Sequence, residues 1–137
     1  MNPCLLAQDY PKAISWFSKA ADKGDASSMR ELAIIYEKGL GGGSNPSMAM
    51  QWYDKAANRG DALAQMFLGE KFAAGQGVSK DPVQAYKWLT LASRGVFFDD
   101  EDAHRDETKQ ARATLVAQMS PTEVSMAEKQ AMQFSAQ

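Results

Sequence analysis

Residues 62–88 read ALAQMFLGEKFAAGQGVSKDPVQAYKW, and a closely related stretch stands about 36 positions earlier in the chain. The most distinctive feature of the pattern is three tryptophans in one register, Trp16, Trp52 and Trp88. A fixed period of this length indicates stacked structural repeats. Alanines and short polar residues keep the same spacing, namely Ala13, Ala49 and Ala85, and Asp9, Asn45 and Asp81.

Each period predicts two helices. Around each tryptophan, apolar residues recur at every third and fourth position, which places them on one face of a helix. A second type of helix carries Leu32 and Tyr36 in one copy and Leu68 and Phe72 in the next. Proline at the first helical position needs no N–H partner, so Asn-Pro at 45–46 and Asp-Pro at 81–82 are typical helix starts.

Glycines mark the ends of the predicted helices. Gly24, Gly60 and Gly95 are expected to end them in the left-handed conformation, which glycine adopts without strain. Asp25 and Asp61 follow directly and are expected to cap the next helix. Longer glycine-containing connections are expected over residues 39–44 and 75–80.

Small residues inside the helices predict close packing. Gly69 lies in the middle of a predicted helix, where it costs roughly 0.5–1 kcal/mol relative to alanine. Close approach of a neighbouring helix would offset that cost. The three tryptophans are expected to fill the spaces between successive helix pairs.

The C-terminal part predicts two capping helices. Acidic residues 99–102 open a helix that is expected to run to about Met119, since acids suit the positive end of the helix dipole. Residues 120–123, Ser-Pro-Thr-Glu, form a capping box for a further helix. Its apolar face is expected to pack on the previous helix and to cover the last repeat.

The composition excludes several classes of site. With one Cys and one His among 137 residues, the chain cannot form an internal disulfide or a histidine-rich metal site. The net charge of −2 and scattered basic residues do not favour nucleic-acid binding. No apolar run has the roughly 18 residues of a membrane span. The N-terminal residues do not form a signal peptide, which slightly favours a cytoplasmic location.

Neither of the two reactive side chains suggests catalysis. Cys4 has no identifiable base nearby, and His104 stands among charged residues typical of an exposed helix. The acidic residues around His104 lack the spacing and central glycine of a calcium loop. We therefore predict no catalytic residues, no metal site and no cofactor.

The pattern from Ala62 through Leu68-Gly69, Gly75, Gly77 and Trp88 resembles the Sel1-like repeat, a relative of the tetratricopeptide repeat. The resemblance implies an all-α fold, a right-handed α/α superhelix or solenoid of helix-turn-helix repeats with a C-terminal helical cap. We expect one domain built from an N-terminal half repeat (1–24), two full repeats (25–60 and 61–95) and the cap (96–137).

The family resemblance implies a non-catalytic adaptor that binds a peptide or protein on the concave surface. The register predicts that ten residues line this groove: Ser27, Arg30, Ile34, Glu37, Lys38, Leu63, Met66, Glu70, Ala73 and Ala74. One alternative is β-lactam binding or hydrolysis, which is linked to secreted family members with a Cys pair in each repeat; these repeats have none. The other is a structural module that associates through its N-terminal face.

Overall fold

The computed structural model describes residues 9–95 and 101–136, with the side chains of 101 and 102 excepted. Within these ranges the chain forms seven helices and no strands. The helices are α1 (Tyr10–Asp22), α2 (Ala26–Lys38), α3 (Pro46–Asn58), α4 (Ala62–Ala74), α5 (Pro82–Ser93), α6 (Glu101–Val116) and α7 (Pro121–Gln133).

Side-chain caps fix where most of these helices begin. Asp25 and Asp61 accept hydrogen bonds from Ser28 N and Ala64 N, as the sequence predicts. Asn45 and Asp81 cap α3 and α5 in the same way, each with proline in the next position. The capping box at Ser120 is also formed. Local sequence therefore determines the helix boundaries.

The helices stack in sequence order. The most extensive contacts join α2 to α3 and α4 to α5, and these two pairs meet where α3 packs on α4. Helix α1 packs on α2. The predicted all-α solenoid of helix-turn-helix repeats is confirmed.

Two glycines permit close contact between helices. A Cβ on Gly69 would lie 2.7 Å from Leu89 Cγ, so the predicted close approach to α5 is confirmed. Gly24 and Gly60 have positive φ, as predicted. The prediction that Gly95 is left-handed is wrong: its φ is outside the positive range, and a Cβ there would lie 2.5 Å from Ala62 Cβ. Gly95 is thus required by packing.

The tryptophans lie in three different environments. Trp88 is 3% exposed, Trp52 is half-buried beside the end of α1, and Trp16 is 69% exposed. The prediction that every tryptophan fills a space between helix pairs is therefore wrong for Trp16. Trp52 lies beside Ala21 of α1 and Met29 of α2, and the described residues place no such preceding helices beside Trp16.

The two C-terminal helices do not form a simple hairpin cap. Helix α7 packs mainly on α5, with Ala127 buried in one core with Leu89, whereas the sequence predicts α6 as its neighbour. Helix α6 packs on α5 and also touches α4. It ends at Val116, before the predicted Met119, and Asp99 and Asp100 lie outside the described residues. The consequence is that α6 lies against the second repeat.

Alanine substitutions at the three tryptophans should lower the free energy of unfolding by different amounts, according to how deeply each ring is buried. Trp88→Ala should lower the free energy of unfolding by about 3–5 kcal/mol, because it leaves a cavity at a buried site. Trp16→Ala should cost less than about 1 kcal/mol, and Trp52→Ala should fall between the two. Chemical denaturation monitored by circular dichroism measures the series; equal losses at positions 16 and 88 would contradict the described packing.

Candidate functional site

An open cleft lies between α2 and α4, the first helices of the two repeats. Its volume is about 320 Å³. Tyr53 on α3 and Phe67 on α4 contact each other edge to face, with ring centroids 5.8 Å apart. The residues that line the cleft are Ile34, Glu37, Lys38, Tyr53, Phe67, Glu70, Lys71 and Gln76.

The structure brings four of the ten predicted groove residues into this cleft, namely Ile34, Glu37, Lys38 and Glu70. The other six are placed differently. Ser27 is exposed near the start of α2 and donates to Asp25, and Ala74 is exposed at the end of α4. Leu63 and Ala73 pack against the second core, which α4, α5 and the C-terminal helices form.

Two of the predicted groove residues have structural contacts instead. Met66 is fully buried in the same core as Leu115 of α6, so its predicted place in the groove is wrong. Arg30 is largely buried, and its Nε donates to Asp61 Oδ2 at 3.0 Å. Because Asp61 also caps α4, this ion pair ties α2 to the start of the next repeat.

Sequence reasoning missed Tyr53, Phe67, Lys71 and Gln76. The repeat register places the same positions of both repeats in the groove. A cleft between neighbouring helices is instead lined by facing flanks, so α4 contributes Phe67 and Lys71 beside Glu70. The signal was present in the sequence, since Phe67, Glu70 and Lys71 share one helical face at spacings of three and four residues.

An ion pair crosses the cleft. Lys71 Nζ donates to Glu37 Oε1 at 2.7 Å and lies 5.4 Å from the centre of the Tyr53 ring. Burial of Glu37 opposes its ionisation, but the contacts with Lys71 and Tyr53 outweigh burial and lower its pKa. Burial and the adjacent Glu37 carboxylate raise the pKa of Tyr53. The Lys71 charge is therefore already balanced by the protein.

A second carboxyl group, Glu70, faces Glu107 of α6. Burial, together with the charge and hydrogen bond of Glu107, raises the pKa of Glu70 to about 7, and Lys71 opposes this effect. Glu70 Oε1 is buried and accepts no hydrogen bond from a donor among the described residues. Glu70 therefore holds its proton to a higher pH than a free glutamate does.

The other candidate residues form no catalytic or metal-binding cluster among the described residues. His104 Nδ1 lies 3.9 Å from Glu107 Oε2, and Cys4 lies outside the described residues. Across residues 9–95 and 101–136, no group of three or more His, Cys, Asp or Glu side chains is arranged to hold a metal ion. In the same part of the chain, no helix is both long enough and apolar enough to span a membrane.

The carboxyl pair predicts a pH-dependent stability. Folding raises the pKa of Glu70 from near 4.5 to about 7, so the folded state binds the proton more tightly than the unfolded state. The contribution of Glu70 to the free energy of unfolding therefore falls as pH rises through that range. Glu70→Gln should therefore be more stable than the parent above pH 7, by about 1–2 kcal/mol after solvent screening of this half-exposed group. The two proteins should differ little at pH 5.

Thermal or urea unfolding at pH 5 and pH 8 measures this difference. Glu128→Gln, on the exposed surface of α7, is the matched control and should show no such pH-dependent gain. A Glu70→Gln protein that is less stable than the parent at pH 8 would refute the carboxyl pair.

Comparison with known proteins shows which family shares this architecture. A model of the Sel1 repeat matches residues 5–25, 26–61 and 62–95. The crystal structure of c5321, a protective antigen of uropathogenic Escherichia coli strains displaying an SLR fold, is similar at TM-score 0.78 and 30% identity. A Sel1 repeat protein from Oxalobacter formigenes is similar at TM-score 0.68 and 29% identity.

These similarities cover 91% and 93% of this chain, but the chain corresponds to only 25% of the first protein and 51% of the second. Among curated protein sequences, no match is found. The repeat model extends over residues 5–95, well over half of the sequence, and both solved structures share the fold. The chain therefore belongs to the Sel1 repeat family.

Proposed function

We propose that this chain is a non-catalytic protein-interaction module that holds an extended segment of a partner protein in the cleft between α2 and α4. Sel1 repeats are typically protein-interaction modules, which supports the general role. The observation that carries the specific proposal is the cleft itself, where apolar side chains lie beside the carboxyl groups of Glu37 and Glu70.

The apolar part of the cleft supplies affinity. Ile34, Tyr53 and Phe67 belong to or pack against the first core, yet all three border the cleft. One partner side chain of leucine size, if fully buried there, would contribute roughly 1.5–3 kcal/mol before the loss of chain entropy. The edge-to-face contact of the two rings keeps this wall rigid.

The charged part of the cleft favours a basic partner. Lys71 is paired with Glu37, whereas Glu70 faces another carboxyl group. An arginine or lysine from the partner would stabilise ionised Glu70 and relieve its repulsion with Glu107. The proposed occupant is therefore a segment that carries a basic residue next to an apolar one.

The cleft continues beyond Glu37 and Lys71. A neighbouring cleft, also about 320 Å³, shares Glu37, Lys71 and Gln76 with it and continues along Pro46, Met50 and Gly77. Gly77 has φ 72°, in the region that favours glycine, and a Cβ there would lie 3.4 Å from Met50 Cγ at this end of the cleft.

Selection from a displayed random-peptide library tests the proposal. The parent should enrich peptides that combine a basic and an apolar residue. The double variant Ile34→Ala, Glu70→Lys should reduce their enrichment at least about tenfold, because it shortens the apolar wall and reverses the charge.

The matched control is Met126→Ala, Glu128→Lys, which makes comparable changes on exposed positions of α7. It should retain the enriched peptides, and circular dichroism establishes that both variants fold. Equal enrichment of the same peptides by the cleft variant and the parent would contradict the proposal.

A further inference from the structure

A second surface slot lies beside Trp52, away from the cleft between α2 and α4. Its volume is about 360 Å³, and none of its lining residues borders that cleft. Apolar atoms come from α1, α2 and α3, and charged groups form its rim. Its lining includes Ala21, Met29, Trp52, Asp54, Lys55 and Arg59.

One repeat later, the chain itself fills the corresponding position. The ring of Phe134 contacts Trp88 edge to face, with centroids 5.7 Å apart, and Trp88 is almost completely buried. Phe134 directly follows α7 and has an extended backbone. Two residues further on, Ala136 Cβ lies 3.5 Å from the place where a Cβ on Gly60 would stand. An extended Phe-Ser-Ala segment thus runs from Trp88 to Gly60.

The 36-residue register relates the two positions. It carries Trp52 onto Trp88, Ala21 onto Ala57 and Gly24 onto Gly60. Ala21 and Ala57 are both buried in the first core, so each position has a buried alanine at the equivalent place. They differ in what covers the tryptophan, since Phe134 lies on Trp88 whereas Trp52 borders an open slot.

The groups over the Trp52 slot are flexible or polar. Lys55 Nζ lies 4.6 Å from the centre of the Trp52 ring. The Arg59 guanidinium lies beside Gly24, and its Nη1 is 2.8 Å from where a Cβ on Gly24 would stand. At Gly60, the equivalent residue one repeat later, Ala136 takes this place. The Lys55 and Arg59 side chains are exposed and can move aside without disturbing the core.

We propose that the slot beside Trp52 binds an extended segment of a partner protein in which a phenylalanine is followed by small residues. The segment would run from Trp52 to Gly24 as residues 134–136 run from Trp88 to Gly60. The phenylalanine contacts the indole edge to face, and small residues allow the backbone to pass Gly24. This surface shares no lining residue with the cleft of the proposed function, so the two proposals are tested independently.

The chain's own C-terminal sequence supplies the probe. A synthetic peptide with the sequence of residues 130–137, QAMQFSAQ, is titrated into the ¹⁵N-labelled full chain. The three tryptophans give three indole N–H signals, assigned with Trp→Phe variants. The Trp52 signal should shift saturably and that of Trp16 should not. A peptide with alanine in place of phenylalanine should bind at least about tenfold more weakly.

The Phe134→Ala protein tests the equivalence of the two positions. With the Trp88 position vacated, the peptide should shift the Trp88 signal as well as that of Trp52. Circular dichroism establishes that the Phe134→Ala variant folds. The comparison of the two peptides on the parent protein does not depend on this variant. The proposal is overturned by an unshifted Trp52 signal, by equal binding of both peptides, or by a Trp16 shift as large as that of Trp52.

Discussion

The close approach of α4 and α5 is the contact on which the rest of the structure depends. It requires glycine on both sides of the contact, because a Cβ on Gly69 in α4 would overlap Leu89 and one on Gly95, after α5, would overlap Ala62. Helix propensity is lost at Gly69, and packing compensates for that loss. With the pair drawn together, α3 packs on one side of it and α7 on the other, and the cleft residues of α4 are held in place.

Equal sequence positions acquire different roles because the stack has different neighbours along its length. Trp88 is buried beneath Phe134, Trp52 borders an open slot, and Trp16 is exposed. In a solenoid each unit contacts only its neighbours, so a residue's burial depends on what stacks beside it. The repeat therefore supplies one scaffold, and its local surroundings decide whether a position serves the core or a surface.

The sequence predicts the local structure well because caps and turns are decided by adjacent residues. Asp61 with Ala64, or Ser120 with Glu123, need only three residues of chain to form their contacts. The repeat register likewise predicts the stacking of helix pairs, and it brings Ile34 and Glu70 to one cleft.

What the sequence does not predict depends on contacts outside the repeat. The meeting of Glu70 with Glu107 and the burial of Met66 both follow from the position of α6, which no second copy in the chain defines. Lys71 and Tyr53 were missed because a cleft uses facing flanks of neighbouring helices, whereas the repeat register compares identical flanks. Gly95 was misjudged because its constraint comes from Ala62, more than thirty residues away.

Native-state hydrogen exchange tests the central claim most directly, since it measures how strongly each helix is held by its neighbours. Backbone amides in α4 and α5 should exchange slowest, at the rate of global unfolding, because these helices are covered on several sides. Amides in α1 should exchange at least about a hundredfold faster, through local opening, because within the described residues α1 packs mainly on α2. Protection of α1 equal to that of α4 would contradict a fold organised around the α4–α5 contact.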